Sequence, residues 1–125
     1  MKTLTKAEEQ IMRVLWNIGK GFVRDILEEL QEPKPAYNTV STIVRILQKK
    51  GFVDHRSFGN THQYYPLIDE DEYKKQYLHN FVKNYFENSY QELVSFFAKE
   101  KQVNLNELEE IARLIQQEIE KKKGD

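Results

Sequence analysis

Tyr37, Asn38, Ser41, Thr42, Arg45 and Lys49 follow one another at the three- and four-residue steps that bring side chains to one helix face. They are hydroxyls, a phenol, an amide, a guanidinium and an ammonium, with no acid among them. Such groups read base edges by donating and accepting hydrogen bonds, and the cations hold phosphate. The Arg45 fork suits the paired O6 and N7 acceptors of guanine, and Asn38 suits adenine or a phosphate. A solvated face of an ordinary helix carries similar residues, so the surrounding elements decide what this stripe means.

The other side of the same stretch carries Val40, Ile43, Val44 and Leu47, the i, i+3, i+4, i+7 pattern of a helix packed on a core. The spacing predicts a helix over about residues 36–50, stopped by Gly51. Two alternating segments follow, residues 52–56 and 62–66, around a turn-rich stretch at 57–61. Arg56, Asn60, Thr61 and His62 lie at or near the tip of this hairpin, where short polar and basic groups suit phosphate or the minor groove. Of Lys49 and Lys50, at least one is expected to meet phosphate, and either can complement the helix C-terminus.

Two helices precede the stripe. Thr5 and Glu8 form an S/T-x-x-E capping box, which satisfies two free backbone donors at a helix start. Ile11, Val14, Leu15 and Ile18 give that helix its apolar face, with Trp16 close by, and Gly19 and Gly21 suit the left-handed geometry of its end. A second helix over about residues 23–31 turns Ile26, Leu27 and Leu30 inward, and Pro33 and Pro35 break it. Trp16, Ile26, Leu30, Val40, Ile43, Val44 and Leu47 are the expected core that aims the stripe. Three helices and a β-hairpin in this order make a winged helix-turn-helix, here expected over residues 1–68.

Residues 69–125 read as a helical arm, so the fold class is mainly α. Asp69 with Glu72, and Asn104 with Glu107, mark helix starts, and Asn88-Ser89 marks a break. Aromatic and aliphatic residues recur at helical steps throughout. An arm of about 55 residues cannot bury that much apolar surface alone. A second copy is the simplest cover, with Tyr77, Phe81, Phe86, Leu93, Phe97, Leu108, Ile111 and Ile115 as the expected dimer interface.

Composition excludes several classes. The chain has 125 residues, no cysteine and a net charge of −1. No disulfide framework or thiolate metal site can form, and three scattered histidines (His55, His62 and His79) are a poor metal signal, so no metal and no cofactor is expected. No run approaches the roughly 18 apolar residues of a membrane span. The N-terminus has no secretory core, so a cytoplasmic protein without direct membrane binding is expected. There is no Gly-rich phosphate loop, H-E-x-x-H or G-x-S-x-G, and no catalytic residues are expected. Charge is unevenly spread: residues 1–68 carry +3 and residues 69–125 carry −4. A basic front and an acidic back fit one surface facing phosphate and another facing protein.

With these elements in order, the chain resembles the penicillinase and methicillin-resistance repressors, the BlaI/MecI family. The resemblance lies in Leu4-Thr5-Lys6-Ala7-Glu8 with Val14-Leu15-Trp16, and in Thr39-Val40 with Thr42. It continues in Leu47 with Lys49-Lys50-Gly51-Phe52-Val53, Gln63-Tyr64-Tyr65-Pro66-Leu67, Leu93-Val94 and Glu107-Leu108-Glu109-Glu110-Ile111. It implies a homodimeric repressor that binds an inverted repeat in double-stranded DNA through the winged helix and dimerises through the arm. It further implies a membrane sensor-transducer protease as partner, whose cut in the arm relieves repression. The family's scissile bond is typically Asn-Phe, and Phe96-Phe97 stand at the matching positions, so the asparagine is missing. Ala36-Tyr37 stand where the family often has Ser-Pro, so this recognition helix starts differently.

The expectation is therefore a DNA-binding transcriptional repressor. The alternative is a winged helix that binds a protein partner and no DNA, which the near-neutral net charge keeps open.

Overall fold

The computed structural model describes residues 3–124. Its elements are α1 (Lys6–Ile18), α2 (Val23–Glu29), α3 (Tyr37–Lys49), β1 (Val53–Phe58), β2 (Thr61–Pro66), α4 (Glu70–Phe86), α5 (Tyr90–Ala98) and α6 (Leu105–Lys123). The chain divides into two compact units, with the break after Leu78. The opening turns of α4 therefore count with the helices and hairpin that precede them.

In the first unit, Thr5 caps α1 in both directions: Thr5 Oγ1 accepts from the Glu8 N–H at 3.2 Å, and Glu8 Oε1 accepts from the Thr5 N–H at 2.8 Å. Gly19 ends the helix at φ 85, a left-handed conformation that costs glycine little. A carboxylate serves the start of α2 too, where Asp25 Oδ2 accepts the Phe22 N–H at 2.8 Å. α2 stops at Glu29, two residues earlier than its apolar spacing predicts. Leu30 already has extended backbone, and Lys34 Nζ donates to the Leu27 and Glu28 carbonyls, each at 2.9 Å.

The core joins Ile11, Met12 and Leu15 of α1 to Val23 and Ile26 of α2, Val40, Val44 and Leu47 of α3, and Phe52, Val53, Tyr64 and Tyr73. Ile26, Val40, Val44 and Leu47 are buried as expected, whereas Trp16, Leu30 and Ile43 are only partly so. Trp16 stays at the rim because its Nε1 donates to the Ile68 carbonyl at 2.8 Å while its ring meets Tyr73 at 5.6 Å. Tyr73 in turn donates its hydroxyl to Glu9 Oε2 at 2.9 Å.

The hairpin is tighter than the sequence suggests. Its register runs from Val53↔Pro66 to Phe58↔Thr61, so only Gly59 and Asn60 form the turn. Ser57, Phe58 and Thr61, expected in a loop, are strand residues. Threonine and phenylalanine suit a pleated strand, and Gly59 at φ 62 supplies the left-handed turn that a two-residue hairpin needs. A third backbone segment adds to this sheet. The Gly21 N–H donates to the Tyr64 carbonyl at 2.9 Å, and the Tyr64 N–H to the Gly21 carbonyl at 2.8 Å. Gly21 thus serves close approach rather than left-handed geometry: a Cβ there would lie 2.8 Å from Ile18 Cδ1.

In the second unit Val82 is the one fully buried large side chain among the described residues. Glu87 and Asn88 take positive φ, 52 and 66, and make the break before α5, which Ser89 caps by accepting the Glu92 N–H at 3.1 Å. Asn104 caps α6 in the same way, accepting the Glu107 N–H at 2.9 Å. Tyr85 is 74% exposed, Leu105 70%, Phe96 65% and Leu114 61%, so this unit by itself leaves much apolar surface in water. Of the expected interface residues, Phe86, Leu93, Leu108 and Ile111 are half-buried within the unit. Phe81, Phe97 and Ile115 are exposed, as is Tyr77 in the first unit.

Candidate nucleic-acid interface

The exposed face of α3 is built by the same periodicity that buries Val40, Val44 and Leu47. Tyr37, Asn38, Thr42, Arg45 and Lys49 are exposed and Ser41 is half-buried. Thr42 Oγ1 donates back to the Asn38 carbonyl at 2.9 Å. Arg45 lies along the helix: Nε donates to the Ser41 carbonyl at 3.3 Å and Nη2 to Thr42 Oγ1 at 3.4 Å. Both bonds are long and exposed, so the fork exchanges them for a better acceptor at little cost.

Beside this face lies a cleft of about 480 Å³ between the start of α2, α3 and the hairpin. Tyr37, Ser41 and Arg45 reach it from α3, and Asn60, Thr61 and His62 from the hairpin. Six of the ten residues expected to contact DNA therefore share one concavity. Asn38, Thr42, Lys49 and Arg56 lie outside it. Asn38 and Thr42 continue the α3 face. Arg56 pairs with Gln63 and so points to the opposite side of the hairpin from His62, which pairs with Ser57.

The two lysines at the end of α3 separate cleanly. Lys50 Nζ is 2.7 Å from Glu8 Oε1 and 3.3 Å from the Thr3 carbonyl, which makes it a strut of the fold. Lys49 is exposed and is the one placed to meet an anion.

The cleft also contains residues outside the expected set: Phe22 at the N-cap of α2, Arg24 and Asp25 from α2, and Tyr64 from β2. Arg24 is the only base in α2, and it sits in the first turn, where the helix dipole favours acids. A cation placed against that preference was the available signal. Tyr64 forms the floor. Burial raises its phenol above the ordinary value, the Arg45 charge pulls it back, and Tyr37 adds to the rise. Asp25 is the acid in this cleft, and one of its oxygens is already held by the Phe22 N–H. The balance of charge facing solvent is basic, from Arg24 and Arg45.

Residues 4–117 match the profile of the penicillinase repressor family. The chain belongs to that family. As a penicillinase repressor family member it is similar to the methicillin resistance regulatory protein MecI of Staphylococcus aureus (strain N315), with 27% identity over 113 residues, 90% of this chain and 92% of that protein. It is also similar to the penicillinase repressor of Bacillus licheniformis, with 25% identity over 121 residues, 96% of this chain and 94% of that one. Among solved structures it is similar to the DNA binding domain of the repressor BlaI, with a TM-score of 0.50 and 30% identity. That match covers 58% of this chain and 94% of the BlaI domain. The winged-helix reading of the penicillinase repressor fold is thus supported both by sequence and by shape.

Proposed function

We propose that this chain represses transcription as a homodimer, laying α3 of each copy in the major groove of an inverted-repeat operator. The coarser statement follows from the family: the chain is a DNA-binding repressor and not an enzyme. That sets aside the reading of a winged helix without DNA. The observation that carries the finer statement is the convergence of Arg45, Ser41 and Tyr37 with Asn60, Thr61 and His62 around one cleft. Arg45, Asn38 and Ser41 contact base edges. Thr42 steers the Arg45 fork. Lys49, Arg24 and Arg56 hold phosphate, with Asn60, Thr61 and His62 on the backbone beside the groove.

The second unit supplies the twofold contact. Its exposed Phe81, Phe97 and Ile115, and the outer edges of Phe86, Leu93, Leu108 and Ile111, pair with the same residues of a second copy. A sensor-transducer protease cutting at Phe96-Phe97 would release the operator by splitting this arm. That bond lies inside α5, so α5 must open before any protease can hold it extended. A nine-residue helix has little stability of its own to prevent that.

The test is to select a binding sequence from randomised duplexes with the full chain, then map its contacts by hydroxyl-radical footprinting. Two protected half-sites related by a twofold axis, about one helical turn apart, are expected. Failure to enrich any sequence would overturn the reading.

A further inference from the structure

Two imidazoles are stacked on the hairpin where it faces α3. The His55 and His62 rings are parallel within 6° with centroids 4.0 Å apart, and the Tyr64 ring lies 5.7 Å from the first and 6.2 Å from the second. Behind the stack, His55 Nδ1 is 2.8 Å from Gln48 Oε1. The Gln48 amide is oriented by its own Nε2, which donates to Asp54 Oδ1 at 3.3 Å. Its oxygen therefore faces the ring, and an amide oxygen only accepts, so His55 Nδ1 carries a hydrogen. Around the pair, α3 contributes Arg45 and Tyr37, α2 contributes Arg24 and Asp25, and the hairpin contributes Asp54 and Tyr64. Both acids are engaged, Asp25 by the Phe22 N–H and Asp54 by Gln48 and the His55 N–H at 2.8 Å.

We infer that the stacked His62 and His55 form one contact for the DNA backbone, with His62 facing phosphate and His55 as its positioning residue, tied to α3 through Gln48. This rests on the DNA-binding reading above. An imidazolium gains by lying over an aromatic face. A phosphate entering the cleft beside His62 stabilises the charged form. DNA binding therefore takes up a proton, and affinity is higher at low pH and falls as pH rises. The Gln48 link means that the ring platform keeps its place only while the hairpin lies against α3. The backbone contact thus registers that hairpin and reading helix are docked together.

The test uses the full chain and a fluorescent mixed-sequence duplex of about 30 base pairs, roughly three helical turns, because backbone contacts need no particular sequence. Binding is followed by anisotropy at constant ionic strength from about pH 8 to about pH 6. Affinity of the wild type should rise about five- to tenfold over that range, within the tenfold per pH unit that one proton allows. His62→Gln, an exposed substitution, should reduce the gain to less than about twofold. His55→Ala should lose most of it, and His55→Phe, which restores a ring under His62 but not the bond to Gln48, should recover only part. A wild-type gain retained in His62→Gln or in His55→Ala overturns the inference, as does salt-dependent binding of the wild type that is flat in pH. Absence of DNA binding at every pH overturns the repressor reading, and this inference with it.

Discussion

Lys50 Nζ lies 2.7 Å from Glu8 Oε1, which ties the C-cap of α3 to the first turn of α1 across 42 residues of sequence. Glu8 is nearly buried, and the same carboxylate closes the α1 capping box. Burial pushes its carboxyl upward. Hydrogen bonds and charge from Lys50, with the Thr5 backbone and hydroxyl, outweigh that and hold it below its ordinary value of 4.5. A group held low in the folded state stabilises the fold above its ordinary value, and that stability is lost as pH falls through the folded-state value. Glu8→Gln should cost about 1–3 kcal/mol at neutral pH. The gap to wild type should narrow below about pH 4.5, as the wild-type carboxylate takes up its own proton. Urea melts across pH would check this, and a gap unchanged in acid would contradict it.

Gly21→Ala should loosen the hairpin. The new Cβ would meet Ile18 Cδ1 at 2.8 Å and Asp25 Cβ at 3.2 Å, while the backbone on either side is paired with Tyr64. Overpacking of this kind costs about 1–3 kcal/mol. Amide hydrogen exchange should quicken first at Tyr64 and Gly21, ahead of the α3 amides. Protection equal to wild type at both would show that Ile18 simply moves aside.

Much of this architecture was legible because it is local. The Thr5–Glu8 box, the Asp69–Glu72 and Asn104–Glu107 caps and the α3 stripe each need only three or four residues of context, and all form as read. What the sequence hid is long-range. Trp16 bonds Ile68, Gly21 pairs with Tyr64, and Lys50 reaches Glu8, none of which a helical period or a cap rule can reveal. Ser57 and Thr61 count as turn formers in sequence and make the hairpin look more open than its register shows, although a strand accepts threonine well. Six of the residues expected to contact DNA converge on one cleft. Arg24 stands outside the apolar period of α2, which marks only the buried side of that helix.

The arm should hold two chains together. Burying each large apolar side chain is worth about 1.5–3 kcal/mol, and the second unit leaves Phe81, Phe97 and Ile115 in reach of a partner. Sedimentation equilibrium at micromolar protein should give twice the 15.0 kDa chain mass. A species of single-chain mass there would remove the dimer from the account.

Removing residues 97–125 should leave a chain that is mostly monomeric. It keeps α3 and the hairpin but loses Leu108, Ile111 and Ile115. A monomer forfeits the effective concentration of the second half-site, a loss of about 10²–10⁴-fold in operator affinity. If this truncation dimerises and binds the operator like the full chain, control does not pass through the arm.

Arg24→Ala and Arg56→Ala should weaken binding to all duplexes alike, each reducing the salt slope by about one phosphate contact. A change in base preference from either would move that arginine from the backbone to the groove.

The most direct test is the affinity of Arg45→Ala for the selected operator and for single-base variants of it. Loss of about 1–3 kcal/mol on the operator, with discrimination relaxed at one base position in each half-site, is the expected result. Wild-type affinity and wild-type selectivity in Arg45→Ala would contradict the claim that α3 reads the DNA.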